Sequence, residues 1–117
     1  MNIHEKINYV EFPTTDMSAT KAFFTEVFGW TFEDFGEGYT AFSNAGLDGG
    51  FFQSELTVST ETGSALIVFY SEALEATQTK IEKAGGNISQ PIFDFPGGRR
   101  FHFIGPSGNE YAVWSDK

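Results

Sequence analysis

Few residues in this chain could do chemistry, and they concentrate near its C-terminal end. The stretch RRFHFIGPSGNEYAVW, residues 99–114, carries Arg99, Arg100, His102 and Glu110 in the pattern of a β-hairpin with a polar turn. His102 is the one histidine inside an expected element, and an imidazole near its ordinary pKa can act as acid or base, or donate to a bound oxyanion. A strand histidine is also an ordinary structural hydrogen bonder, and both readings are open. Arg99 and Arg100 follow a Pro-Gly-Gly turn. Because neighbours on a strand point to opposite faces, only one of them can reach a site, where it could clamp a carboxylate or phosphate; the other is solvated or paired at the surface. At the other end of the chain, INYVEF places Glu11 on the same strand face as Tyr9. In apolar surroundings such a carboxyl has a raised pKa and can transfer protons, or it is a rim carboxylate satisfied by Arg100 or by backbone. No cysteine is present, which excludes disulfides, thiolate nucleophiles and thiolate metal ligands.

The elements that must position these groups follow from periodicity. INYVEF, ending at Pro13, reads as a strand, and Asp16 or Ser18 can cap a helix carrying Ala19, Phe23, Phe24, Val27 and Phe28 until Gly29 stops it. TFEDF, YTAF and GFFQ read as three hairpin-linked strands between Gly- and Asn-rich turns. Residues 54–63, polar and without apolar period, form a connection. The order then restarts: ALIVFY from Ala65 to Tyr70 is a strand, Leu74, Thr77, Ile81 and Ala84 share a helix face ending at Gly85-Gly86, and Ile88–Phe95, Arg99–Ile104 and Glu110–Trp114 are strands. Gly29 and Tyr9 align with Gly85 and Ala65 in one register, and Phe42 and Phe51 with Phe103 and Ala112 in another. Element order thus repeats as two βαβββ units, although residue identity scarcely does.

The chain has 117 residues, enough for one core. With 14 phenylalanines and 40% hydrophobic residues it has ample area to drive folding. Seven basic against 16 acidic residues leave a formal charge of −9, which repels nucleic-acid phosphates and anionic lipid heads. No nucleic acid and no membrane is expected as a partner. The longest apolar run is far too short to span a bilayer and no signal-peptide pattern opens the chain, so a cytoplasmic location is the default expectation.

Taken together, VEFPTTDMSATKAFFTEVFGW, KIEKAGGNI and FHFIGPSGNEYAVW resemble the vicinal oxygen chelate (VOC) superfamily of glyoxalase, bleomycin-resistance and extradiol-dioxygenase relatives, over almost the whole chain. The resemblance implies an α+β fold in which 1–117 form a single domain. Its two βαβββ modules, at about 5–55 and 64–116, make one open cup-shaped sheet with helices on the outer faces, often in a homodimer. In metal-dependent relatives His, Glu or Gln on the first and fourth strands of each module hold a divalent ion. The corresponding positions here are Tyr9, about Phe51 (or Gln53 if the register moves), Ala65 and Ala112, so no metal ligand and no cofactor is expected. GPSGN matches the family's turn with Gly105 in place of the usual Asp, a structural signature.

Extending those positions along the strands gives Tyr9 and Glu11, Phe51 and Gln53, Ile67 and Phe69, and Glu110, Ala112 and Trp114 as the expected cup surface. By likeness to the dioxygenase relatives, Arg100 and His102 line it, with Tyr39 and Ala41 as their counterparts. The expected function is a VOC/glyoxalase-like protein that binds an apolar or aromatic small molecule through Tyr9, Tyr39, Phe51, Gln53, Ile67, Phe69, Arg100 and Trp114. The alternative is a glyoxalase-, lyase- or isomerase-type enzyme using Glu11 and His102 as catalytic proton-transfer groups.

Overall fold

A computed structural model describes residues 2–117 of the chain. Strand β1 (Tyr9–Thr14), helix α1 (Met17–Phe28) and strands β2 (Thr31–Asp34), β3 (Tyr39–Ser43) and β4 (Asp48–Gln53) form the first unit. After a 3-10 turn at Thr60–Thr62, β5 (Ile67–Tyr70), α2 (Leu74–Lys83), β6 (Asn87–Phe95), β7 (Gly98–Ile104) and β8 (Glu110–Ser115) form the second. The expected βαβββ repeat is therefore present, as two open four-stranded sheets ordered β1-β4-β3-β2 and β5-β8-β7-β6. The β1–β4 and β5–β8 pairs are parallel and the others antiparallel.

Local signals act where the sequence places them. Asp16 Oδ1 accepts from the Ala19 amide at 3.0 Å, and Gly29 closes α1 in the left-handed region at φ 73°. Pro13 does not end β1, which runs on to Thr14. The strand lies at a sheet edge, where a missing N–H costs no ladder bond. Pro91 occupies the other kind of tolerated place, in edge strand β6, where register shifts mark bulges between Ile88 and Phe93.

The two units share one core. Phe24 of α1 lies 5.6 Å from Phe51 in the first sheet and 5.3 Å from Tyr111 in the second, between ring centroids. Phe28 stacks on Phe69 at 4.3 Å, Phe23 sits 6.0 Å from Phe103, and Phe12 of β1 reaches Tyr111 of β8 at 5.5 Å. Helix α1 thus packs against one face of both sheets. The opposite face of each sheet, free of helices, points away from this core.

That geometry sets the phase of every strand. Phe51, expected on the cup surface, is instead fully buried in the core, and Phe52 shares the free face with Tyr39, its cross-strand partner. Ile67 and Phe69 likewise pack against the core, while Val68 and Tyr70, opposite Ala112 and Trp114, take the free face. The reason is the same in both strands: each is apolar at consecutive positions, so alternation gave no phase, and packing against α1 decided it. Gln53 follows Phe51 in parity, and its amide donates to the Thr15 carbonyl at 3.2 Å.

Candidate functional site

On the free face of the second sheet, register alone builds a row. Tyr70, Trp114, Arg100 and Phe93 are successive cross-strand partners on β5, β8, β7 and β6. Beside it, Val68, Ala112, His102 and Gln90 form a second row. Tyr70 and Trp114 meet edge to face at 5.2 Å, Phe95 and Trp114 at 6.2 Å, and the Arg100 guanidinium carbon lies 5.9 Å and 5.8 Å from the Phe93 and Phe95 ring centres.

A polar line crosses this aromatic surface. Arg100 Nη2 lies 3.1 Å from His102 Nε2, and His102 Nδ1 lies 3.2 Å from Glu110 Oε2. A guanidinium only donates, so Nε2 must accept and the ring proton sits on Nδ1, donating to Glu110. Glu110 also accepts from the Thr60 amide at 2.8 Å and from the Thr60 hydroxyl. These bonds, the Thr60 amide foremost, hold its carboxyl below the usual carboxylate range despite the opposing effect of burial. Both side chains are removed from water, with His102 7% and Glu110 8% exposed. Arg100 Nε is buried without a hydrogen-bond partner, and among the described residues no carboxylate pairs with this guanidinium. Its neighbour Arg99 points the other way and forks onto the Glu75 carboxylate of α2.

The free face of the first sheet carries a different constellation. Tyr39 Oη donates to Glu11 Oε2 at 2.8 Å and contacts Tyr9 Oη at 2.6 Å. Partial burial, reinforced by these two neighbours, pushes the Tyr39 phenol well above its ordinary value. The arrangement depends on Gly50, since a Cβ there would lie 2.2 Å from Tyr39 Oη.

Sequence reasoning located Tyr9, Glu11, Tyr39, Arg100, His102 and Trp114 on free faces, but it did not foresee which would touch. Glu11 and His102, paired in the enzymatic reading, stand on different sheets and make separate bonds: Glu11 is engaged by Tyr39, and His102 by Glu110 and Arg100. Glu110, Tyr70, Phe93, Phe95 and Thr60 were not recognised as parts of one cluster. The turn register, which sets Ile104 opposite Glu110, was the signal that could have placed Glu110 diagonal to His102.

The positions that the family resemblance assigns to metal donors do not form a donor set on the free face. Phe51 is buried in the core, Ala65 precedes β5, and Ala112 lies between Val68 and His102 with a methyl that donates nothing. Among the described residues no group of three His, Cys, Asp or Glu is placed to hold an ion.

Paired βαβββ units, sheets open on one face and helices on the other, define a protein of the vicinal oxygen chelate class. The model of the Glyoxalase/Bleomycin resistance protein/Dioxygenase superfamily matches residues 6–113, and the chain belongs to that family. It is 28% identical over 124 residues to "Putative glyoxylase CFP32" of Mycobacterium bovis, covering 92% of this chain and 44% of that protein, so it spans less than half the relative's length. Among solved structures, it is similar to a glyoxalase-related enzyme from Fulvimarina pelagi, with TM-score 0.78, 16% identity, and 95% and 88% of the two chains covered. The fosfomycin resistance protein FosX of Listeria monocytogenes superposes with TM-score 0.79 at 15% identity, covering 97% and 94%. TnmS3, an antibiotic binding protein from Streptomyces sp. CB03234, gives 0.67 at 17%, covering 98% of each chain. At these identities the likeness is one of fold.

Proposed function

We propose that this protein binds an apolar or aromatic small molecule against the free face of the β5–β8–β7–β6 sheet, without the divalent ion of its metal-dependent relatives. The observation that carries this reading is the row Tyr70–Trp114–Arg100–Phe93, an aromatic surface around a single cation, next to a row in which Val68 and Ala112 stand beside His102. TnmS3, an antibiotic binding protein, supports the binding role within the same fold.

A homodimer completes the cup in this reading. Strands β1 and β5 are both sheet edges, and between them lies an uncovered cleft of about 520 Å³ lined by Val10, Phe12, Trp30, Leu47, Leu66 and Phe69. Open edges and exposed apolar surface at one place suit coverage by a second copy, which would bring its Tyr9–Tyr39–Glu11 face opposite the Arg100 face.

Sedimentation and thermal unfolding test the reading together. The expected results are a dimer, a melting temperature unmoved by Ni, Zn, Mn or Fe ions, and an upward shift with aromatic ligands, since whatever binds the folded state stabilises it. A stoichiometric, chelator-reversible stabilisation by a metal would sink the proposal.

A further inference from the structure

Resting on that reading, we infer that Arg100 is a carboxylate site and that the ligand class is a planar aromatic monocarboxylate. A guanidinium withdrawn from water without an anion is costly, and the side chain here is half-buried between two phenyl rings with Nε fully enclosed and unpartnered. The chain has 16 acidic residues, and Arg99 next door takes one of them, Glu75. Arg100 takes none. What it has instead is a hydrogen-bond acceptor, the His102 imidazole, itself held by a buried Glu110 that is clamped by Thr60. That chain of bonds fixes one corner of the fork and leaves the Nη1 N–H groups and the second Nη2 N–H for a ligand.

The charges favour a monoanion. A single guanidinium serves the site, the Glu110 carboxylate stands one imidazole away, and the whole protein is strongly acidic, so a phosphate dianion meets more repulsion than a carboxylate monoanion does. A carboxylate also matches the fork in shape. The aromatic part of the ligand is recognised by what flanks the cation: Tyr70, 48% exposed, and Phe93, 38% exposed, lie on either side of the Trp114–Arg100 pair and present rings to solvent. Glu110 and His102 act as positioning residues for Arg100.

Calorimetric titration of the full chain with 2-naphthoate, 2-naphthamide and 2-naphthyl phosphate tests the inference. The expected result is that naphthoate binds the wild type at least tenfold more tightly than the amide and more tightly than the phosphate. Arg100→Gln removes the acid-over-amide preference, read as the ratio of the two affinities within each protein, and Arg100→Lys restores only part of it. Acid and amide binding equally to the wild type, a ratio that needs no variant, would overturn the carboxylate assignment and leave the aromatic-binding reading standing. Tighter binding of the phosphate would replace carboxylate by phosphate. Absence of binding by all three would overturn both.

Discussion

At position 110 a carboxylate is buried at the base of β8, where an acid would ordinarily be destabilising. It is tolerated because every oxygen has a donor, from Thr60 or His102. Its folded-state pKa is lowered, so it contributes stability above the ordinary carboxyl value of 4.5 and loses it as the pH falls below that toward the folded value. Glu110→Gln is therefore expected to cost roughly 1–3 kcal/mol at neutral pH. In urea unfolding across the acidic range, the variant should lose less stability than wild type as the pH falls below the ordinary carboxyl value. Equal stability of both proteins at neutral pH would show that the Glu110 charge adds nothing to the folded state beyond what an amide supplies. The same substitution loosens the His102 ring, whose tautomer the Glu110 carboxylate selects.

Strand β4 shows how an element positions a site it does not itself supply. Gly49 and Gly50 let two neighbours lie against the strand: a Cβ at 49 would stand 2.2 Å from the Val10 carbonyl oxygen, and one at 50 would stand 2.2 Å from Tyr39 Oη. The two alanine substitutions should behave differently. Gly49→Ala meets backbone of the paired strand β1 and should destabilise by about 1–3 kcal/mol, read in denaturant unfolding. Gly50→Ala meets the Tyr39 ring and also the Thr40 carbonyl oxygen at 2.8 Å, so besides some loss of stability the Tyr39 ring swings away and its bond to Glu11 is lost. The expected sign is a Tyr39 phenol that ionises at lower pH than in wild type, followed by ultraviolet titration against Tyr39→Phe. An unchanged phenol titration in Gly50→Ala would show that the Tyr39–Glu11 bond survives.

For the whole molecule the decisive fact is that α1 serves two sheets. Phe24 is fully buried with Phe51 on one side and Tyr111 on the other, so Phe24→Ala removes contacts from both halves and should cost about 3–5 kcal/mol. For the same reason, chains ending or beginning within residues 54–63 should not fold separately. Circular dichroism and amide dispersion of either half alone would check this, and a folded half would mean that the shared core is dispensable. No helix among the described residues is long and apolar enough to cross a membrane.

Much of this architecture is legible in the residues themselves. The Asp16 cap, the Gly29 stop, the helical spacing of Phe23, Phe24 and Val27, and the turn residues around each short strand name the elements, and their order names the repeat, because these signals are local. The phases expected for β1 and β7 agree with the structure, since Tyr9 and Glu11, and Arg100 and His102, alternate with apolar residues, while β8, apolar from Tyr111 to Trp114, takes its phase from the family turn before it. Those expected for β4 and β5 do not agree. GFF and LIVF are apolar at adjacent positions, and a chain with no alternation carries no statement of which side faces inward. Only the tertiary structure decided that Phe51, Ile67 and Phe69 enter the core and that Val68 and Tyr70 remain outside, through their packing on α1 and their register with β8. It likewise decided the contacts of Glu110, because a hydrogen bond between a strand's first residue and a neighbour across a turn depends on cross-strand distance, which sequence spacing does not contain.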